Sequence, residues 1–174
     1  MENKLSFVIP EADLHFRLIR LLIILDNLSF TSKGNPILTI EKIVMFEFLV
    51  RHPNILKDVL KVISSKGNEK FVLYDEEVGS IEALYPNEMS LYDFTSTKVL
   101  LKTLIKHKLV EVNVVKDIIF FLITKEGIEF LKNTEADHIK RMVEICKAMY
   151  PLRSTTTNEL KKIIKPIIKG GKNG

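Results

Sequence analysis

Apolar residues recur along this chain at helical spacing over most of its length, and at alternating positions in one short stretch only. Leu14, Leu18, Leu21, Leu22, Leu25 and Leu28 fall every third or fourth residue and predict a helix from Glu11 to Leu28. Pro10, Glu11 and Asp13 supply its start, with proline in the first turn and carboxylates near the positive end of the helix dipole. Phe16, Ile19, Ile23 and Ile24 fill most of the remaining circumference. A helix apolar almost all round needs cover on more than one side, from its own core or from another chain. Phe16, Ile19 and Ile23 are the candidate partner-docking residues on that second side. After a loop at Thr31–Pro36, Thr39 can cap a second helix that ends at His52-Pro53. Asn54 can cap a third, Ile55 to about Ile63, closing at Ser64-Ser65-Lys66-Gly67.

Phe71 to Tyr74 reads as a short strand and Glu76 to Tyr85 as a short helix stopped before Pro86. The organising stretch is Asp93 to Leu131, which parses as helix, strand, tight turn, strand, helix, the order that closes a winged-helix domain. Asp93 or Ser90 caps the first helix, which runs to His107 and buries Phe94, Leu100, Leu101, Leu104 and Ile105. Leu109–Val115 and Ile118–Ile123 are the strands, separated only by Lys116-Asp117. That pair lacks the Gly or Asn a primed two-residue turn prefers, so a longer, bulged turn is the competing expectation. Thr124 caps the helix that follows. Beyond it, Glu135–Tyr150 is amphipathic and stops at Pro151, and Ser154 to Asn158 offers caps for ELKKIIKPIIK, which Pro166 should break or kink. Ile163 and Ile167 are the candidate docking residues there, and Gly170–Gly174 reads as a disordered tail. The fold class is mainly α (α+β). Helices over 1–67 pack on a winged-helix core over 68–133 with a short β-hairpin wing, and C-terminal helices with a basic tail occupy 134–174.

Charge changes this picture. The chain carries +4 overall, but residues 1–90 sum to −3 and residues 91–174 to +7, so a nucleic acid or an acidic protein surface becomes a candidate partner of the second half. A solvated lysine-rich surface gives the same count. Lys98, Lys102 and Lys106 stand at i, i+4 and i+8, joined by Thr95, with Lys116 at the hairpin tip; these four are the candidate nonspecific DNA contacts. No Arg, Asn or Gln, the side chains that read base edges best, lies on that face, so contact there would go to phosphates. Asp75, Glu76, Glu77, Glu82 and Glu88 make 68–92 the acidic part of the chain, with no converging His, Asp or Glu for a metal site.

The remaining chemistry is sparse. His15, His52, His107 and His138 are isolated, no Gly-rich phosphate loop occurs, and Cys146 lies on an apolar helix face as a core residue. No catalytic residue, cofactor, metal or small-molecule substrate is expected. A single cysteine points to a reducing compartment, the N-terminus lacks a signal-peptide pattern, and Leu18–Leu25, interrupted by Arg20, is too short to span a bilayer. A cytoplasmic protein without membrane insertion is the expectation.

Three stretches, IPEADLHFRLIRLLIILDNLS, LTIEKIVMFEFLVRHPNIL and IEALYPNEMSLYDFTSTKVLLKTLIKHKLVEV leading into the wing, carry a resemblance and together cover most of residues 8–131. Around Glu11, Arg17, Arg20, Arg51, Pro53 and Pro86 their pattern resembles the middle component of three-component ABC/SMC-type prokaryotic conflict systems, the class that includes the Lamassu antiphage system. The resemblance implies a small non-enzymatic winged-helix subunit joining an SMC-like ATPase to an effector, often a nuclease. It does not reach past about Asn133. A winged-helix DNA-binding transcriptional regulator is the alternative reading of the lysine stripe.

Overall fold

The computed structural model describes residues 14–64, 71–134 and 136–170. The expected helix start at Pro10–Asp13, the closing Ser65-Lys66-Gly67 and residues 171–174 of the expected tail lie outside them, while Gly170, expected in the tail, is the last residue of a helix. Two helices carry the centre. α1 (Leu14–Leu28) is buried without a break from Ile19 to Leu25, and α2 (Ile40–Arg51) from Lys42 to Val50. Thr39 caps α2 by accepting from the Lys42 N–H. At its other end the His52 ring stacks on Phe48 with centroids 4.2 Å apart, and its Nδ1 donates to the Phe48 carbonyl at 2.8 Å. Pro53 then opens α3 (Pro53–Ile63) at the first helical position, where its missing N–H costs no bond. Asn54 is therefore not the cap; its amide donates to the Ala83 carbonyl at 3.1 Å instead.

Residues 71–74 form no strand, and the expected single helix over 76–85 is two short ones, α4 (Asp75–Gly79) and α5 (Ile81–Leu84), divided at Ser80 in extended backbone. A 3-10 turn over Glu88–Tyr92 leads into α6 (Phe94–Lys106), capped by Asp93 accepting from the Ser96 N–H at 3.2 Å. α6 buries Thr97, Leu100, Leu101 and Leu104. It ends with Lys108 at φ 60°, while the Lys108 N–H reaches the Ile105 carbonyl and the Leu109 N–H the Leu104 carbonyl. That is the paired hydrogen bonding of a Schellman ending, here without the usual glycine.

β1 (Val110–Val115) and β2 (Ile118–Ile123) pair antiparallel with Val115 opposite Ile118, so the loop is two residues after all. Lys116 and Asp117 both take positive φ, 48° and 65°, as a type I′ turn requires; the twist of the strands imposes the geometry and no bulge forms. The Phe121 N–H donates to the Leu38 carbonyl at 2.9 Å and ties β2 to the segment entering α2. Thr124 caps α7 (Lys125–Lys132) through the Gly127 N–H and also donates to the Lys108 carbonyl.

α8 (Asp137–Ala148) packs along α1, and α9 (Thr157–Gly170) lies against α3 and α2. Pro166 does not break α9, which is one helix across it; the cap is set by Thr156 and Glu159, each accepting from the other's backbone N–H. One hydrophobic core runs from Ile19 to Ile168 and draws residues from all three sequence segments. Among the described residues the fold is thus mainly helical with one small antiparallel hairpin.

Candidate docking surfaces

The lysine stripe is real as a surface. Lys98, Lys102 and Lys106 are all exposed along α6, with exposed Val99 beside them, and residues 94–110 contain no carboxylate to offset them. One helical turn separates neighbours, about 6 Å along the axis. Lys116 is exposed at the hairpin tip. Around the tip, Val112, Val114, Val115, Ile118 and Ile119 are exposed too, so the hairpin extends beyond the core it grows from.

The expected docking face of α1 is covered from within. Ile19 and Ile23 are 3% and 1% exposed, and Phe16 is half-buried with its ring stacked on His138 at 4.5 Å. α8 supplies the second cover that an all-round apolar helix requires, so Ile19 and Ile23 offer no surface to a partner. Ile163 and Ile167 are half-buried against the same core, because α9 docks on its own chain through Leu160, Ile164 and Ile168. On its outer side Lys161 and Lys165 sit over the Tyr92 ring, each 5.6 Å from the centroid. A hydrogen bond to Tyr92 holds the Lys165 amine above the ordinary lysine value.

Three polar arrangements inside the fold were not singled out by sequence spacing. Arg20 and Glu47 are both buried and lie 3.6 Å apart, with the Thr97 hydroxyl donating to Glu47 at 3.4 Å; this joins α1, α2 and α6. Lys42, also buried, donates from Nζ to the carbonyls of Arg153 and Thr155 at 2.8 and 2.6 Å and so fastens the turn before α9 to α2. Burial pushes its amine down to about 8, with Glu159 opposing. The sequence signal was a lysine at the head of an otherwise apolar run. Arg141 is the third, and nothing but its place off the apolar side of α8 marks it. It donates from Nε and Nη2 to the two Glu77 oxygens, both at 2.7 Å, from Nη2 to the Val72 carbonyl at 2.8 Å, and from Nη1 to Glu144 at 3.1 Å. Its guanidinium stands 3.9 Å over the Tyr74 ring. The Glu77 carboxylate holds it above the ordinary arginine value.

Two clefts stand out, the first of them beside Arg20 and Glu77. One, of about 300 Å3, is lined by Phe16, Arg20, Arg51, Pro53, Glu76 and Glu77, bringing together positions that carried the sequence resemblance. The other, of about 380 Å3, is an apolar slot between α1, α6 and α7, with His15 and His107 among its lining residues. Among the described residues no three His, Cys, Asp or Glu side chains gather as they would around a metal ion. Burial raises the Cys146 thiol far above its ordinary value. No helix among the described residues is long and apolar enough to cross a membrane.

The result is a small, mainly helical protein whose distinctive chemistry lies on charged and apolar surfaces around one core. The chain belongs to a family described as ABC-three component (ABC-3C) system Middle Component 4, whose family model matches residues 28–162. It is a component of an ABC-based system, and membership implies partner subunits. The matched span differs from the stretch that carried the sequence resemblance. It leaves out nearly all of α1 and takes in α8 and the first part of α9. No curated protein and no solved structure matches the chain.

Proposed function

We propose that the chain is a non-catalytic bridging subunit of a Lamassu-like antiphage complex, linking the heads of an SMC-like ATPase to an effector nuclease in the cytoplasm of a prokaryote. The match to a middle-component family across residues 28–162 carries this reading. The surfaces support it. One buried core presents a basic, lysine-striped helix in one stretch and an acidic stretch with exposed apolar side chains in another, which suits a subunit with two unlike neighbours. We read α6, β1, β2 and α7 as the closing part of a winged helix, with the Phe121 to Leu38 hydrogen bond bringing an earlier extended segment beside the hairpin. Lysines without base-reading neighbours suit phosphate contact of no sequence preference, made as part of the complex. The subunit needs no cofactor, metal or small-molecule substrate of its own. Co-expression with the ATPase and effector encoded beside it should give a stoichiometric complex on size exclusion. A monodisperse monomer with no affinity for either would overturn the proposal.

A winged-helix transcriptional regulator is the second reading, favoured by the exposure of Lys98, Lys102 and Lys106 on one helix. It requires sequence-selective binding. Equal affinity for unrelated duplexes that collapses at moderate salt would remove it.

A further inference from the structure

Residues 71–92 are built the wrong way round for a segment that stands alone in water. They hold five carboxylates and no lysine or arginine. Yet the side chains turned to solvent include Val72, Val78, Ile81, Leu84, Tyr85 and Met89, the last two and Ile81 being 74%, 71% and 79% exposed. The charged Glu77 faces inward, with its side chain 15% exposed against Arg141. The segment's other inward attachments are the Val72 carbonyl on Arg141, the Ala83 carbonyl on Asn54 and the Tyr74 ring under the guanidinium, with Leu73 and Tyr92 partly buried against the core. Only Phe71 and Leu91, at its two ends, are buried apolar side chains of the segment. Folding alone favours the opposite arrangement, because each large apolar side chain left in water forfeits burial worth about 25 cal/mol per Å2. Large apolar side chains exposed together within one short stretch, flanked by carboxylates, are the kind of surface that a partner covers.

The rim selects the partner. Asp75 and Glu76 are exposed and Glu88 is half-exposed beside the apolar residues, so the cover must be cationic around an apolar stripe. Nucleic acid and anionic lipid are repelled. We infer that the apolar, acid-rimmed face formed by Val78, Ile81, Leu84, Tyr85 and Met89 docks an amphipathic helix of a partner subunit that carries Lys or Arg beside its apolar face. This inference rests on the bridging role proposed above and specifies one of its two contacts. A helix on such a face presents apolar anchors at i, i+3, i+4 and i+7, with its charges alongside.

The test uses the full chain with its neighbouring ATPase and effector. Ile81→Ser with Tyr85→Ser, both at exposed positions, should leave the circular dichroism spectrum and melting temperature unchanged. The double variant should weaken binding to one of the two components by about tenfold or more while the other stays bound, as loss of anchoring side chains does. Asp75→Lys with Glu76→Lys should weaken the same component and flatten the salt dependence of its binding. Hydrogen exchange over 72–89 should slow in the wild-type complex. If wild type binds both components and neither double variant changes either affinity, this inference falls and the bridging role stands. If wild type binds neither, both fall. A concentration-dependent dimer of the wild type that the Ile81 and Tyr85 changes abolish would make the occupant a second copy and overturn the assignment.

Discussion

Arg141 grips Glu77 in parallel, Nε to one carboxylate oxygen and Nη2 to the other, both at 2.7 Å, across 64 residues of chain. The pair is mostly shielded from solvent and adds the Val72 carbonyl and the Tyr74 ring to the same guanidinium. Arg141→Ala should therefore cost about 2–3 kcal/mol, since it leaves a shielded carboxylate without its partner. Arg141→Lys should recover only part, because an ammonium cannot make the two-pronged contact. Urea denaturation measures the loss, and hydrogen exchange should show protection falling first over residues 71–79.

Two glycine exchanges should act in opposite directions. A Cβ at Gly127 would lie 2.4 Å from the Leu109 carbonyl oxygen and 2.6 Å from Ile123 Cγ1, and the first of these is backbone that cannot swing aside. Gly127→Ala should destabilise by about 2–3 kcal/mol. Lys108 holds φ 60° at the end of α6, so Lys108→Gly should stabilise by up to about 1 kcal/mol. Thermal melts should place the two variants on opposite sides of wild type.

Lys42 makes stability depend on alkaline pH. Its folded amine titrates near 8 and its unfolded amine near the ordinary lysine value of about 10.4, so between these limits the unfolded chain holds more protons. Unfolding free energy then rises with pH through that window, and the cost of burying the cation is fully present below it. The wild-type stability measured in urea, relative to Lys42→Met, should increase by roughly 1–2 kcal/mol from about pH 7 to about pH 9.5. A flat difference would show that the amine is not desolvated.

Changing Lys98, Lys102 and Lys106 together to Glu should reduce affinity for duplexes of any sequence. It should also lower the slope of log affinity against log salt by about 3, one for each lost phosphate contact. On the bridging role proposed above, assembly with the partner ATPase should persist; its loss would place a protein partner on α6 instead.

How much of this was legible beforehand differs by element. Thr39, Asp93 and Thr124 each cap the helix their sequence position announces, and the apolar periodicity finds α2, α3 and α6 to α9 to within a few residues. These signals are local. The burial of Ile19 and Ile23 was not legible, because an all-round apolar helix has the same sequence whether its second cover is a partner or α8, over a hundred residues away. The segment around α4 and α5 escaped for a related reason. Its shape is set by Arg141 and Asn54 rather than by its own periodicity, and its apolar residues do not mark a buried side. Pro166 reads as a break or a kink, yet the side chains on either side of it, Ile164 and Ile168, are buried, and that packing holds the helix unbroken through the missing hydrogen bond. Of the candidate contacts, the four lysines lie on the surface, while the candidate apolar docking set falls on α1 and α9 and the three most exposed large apolar side chains among the described residues, Ile81, Tyr85 and Met89, lie elsewhere.

The lone Cys146 sits wholly inside the contact between α8 and the rest of the core, its thiol held protonated by burial. A thiol so placed reacts with a labelling reagent only when α8 lifts away. The chain therefore carries an intrinsic clock for its own opening, and the labelling rate of the assembled complex, compared with that of the free subunit, would report how strongly assembly clamps the core shut.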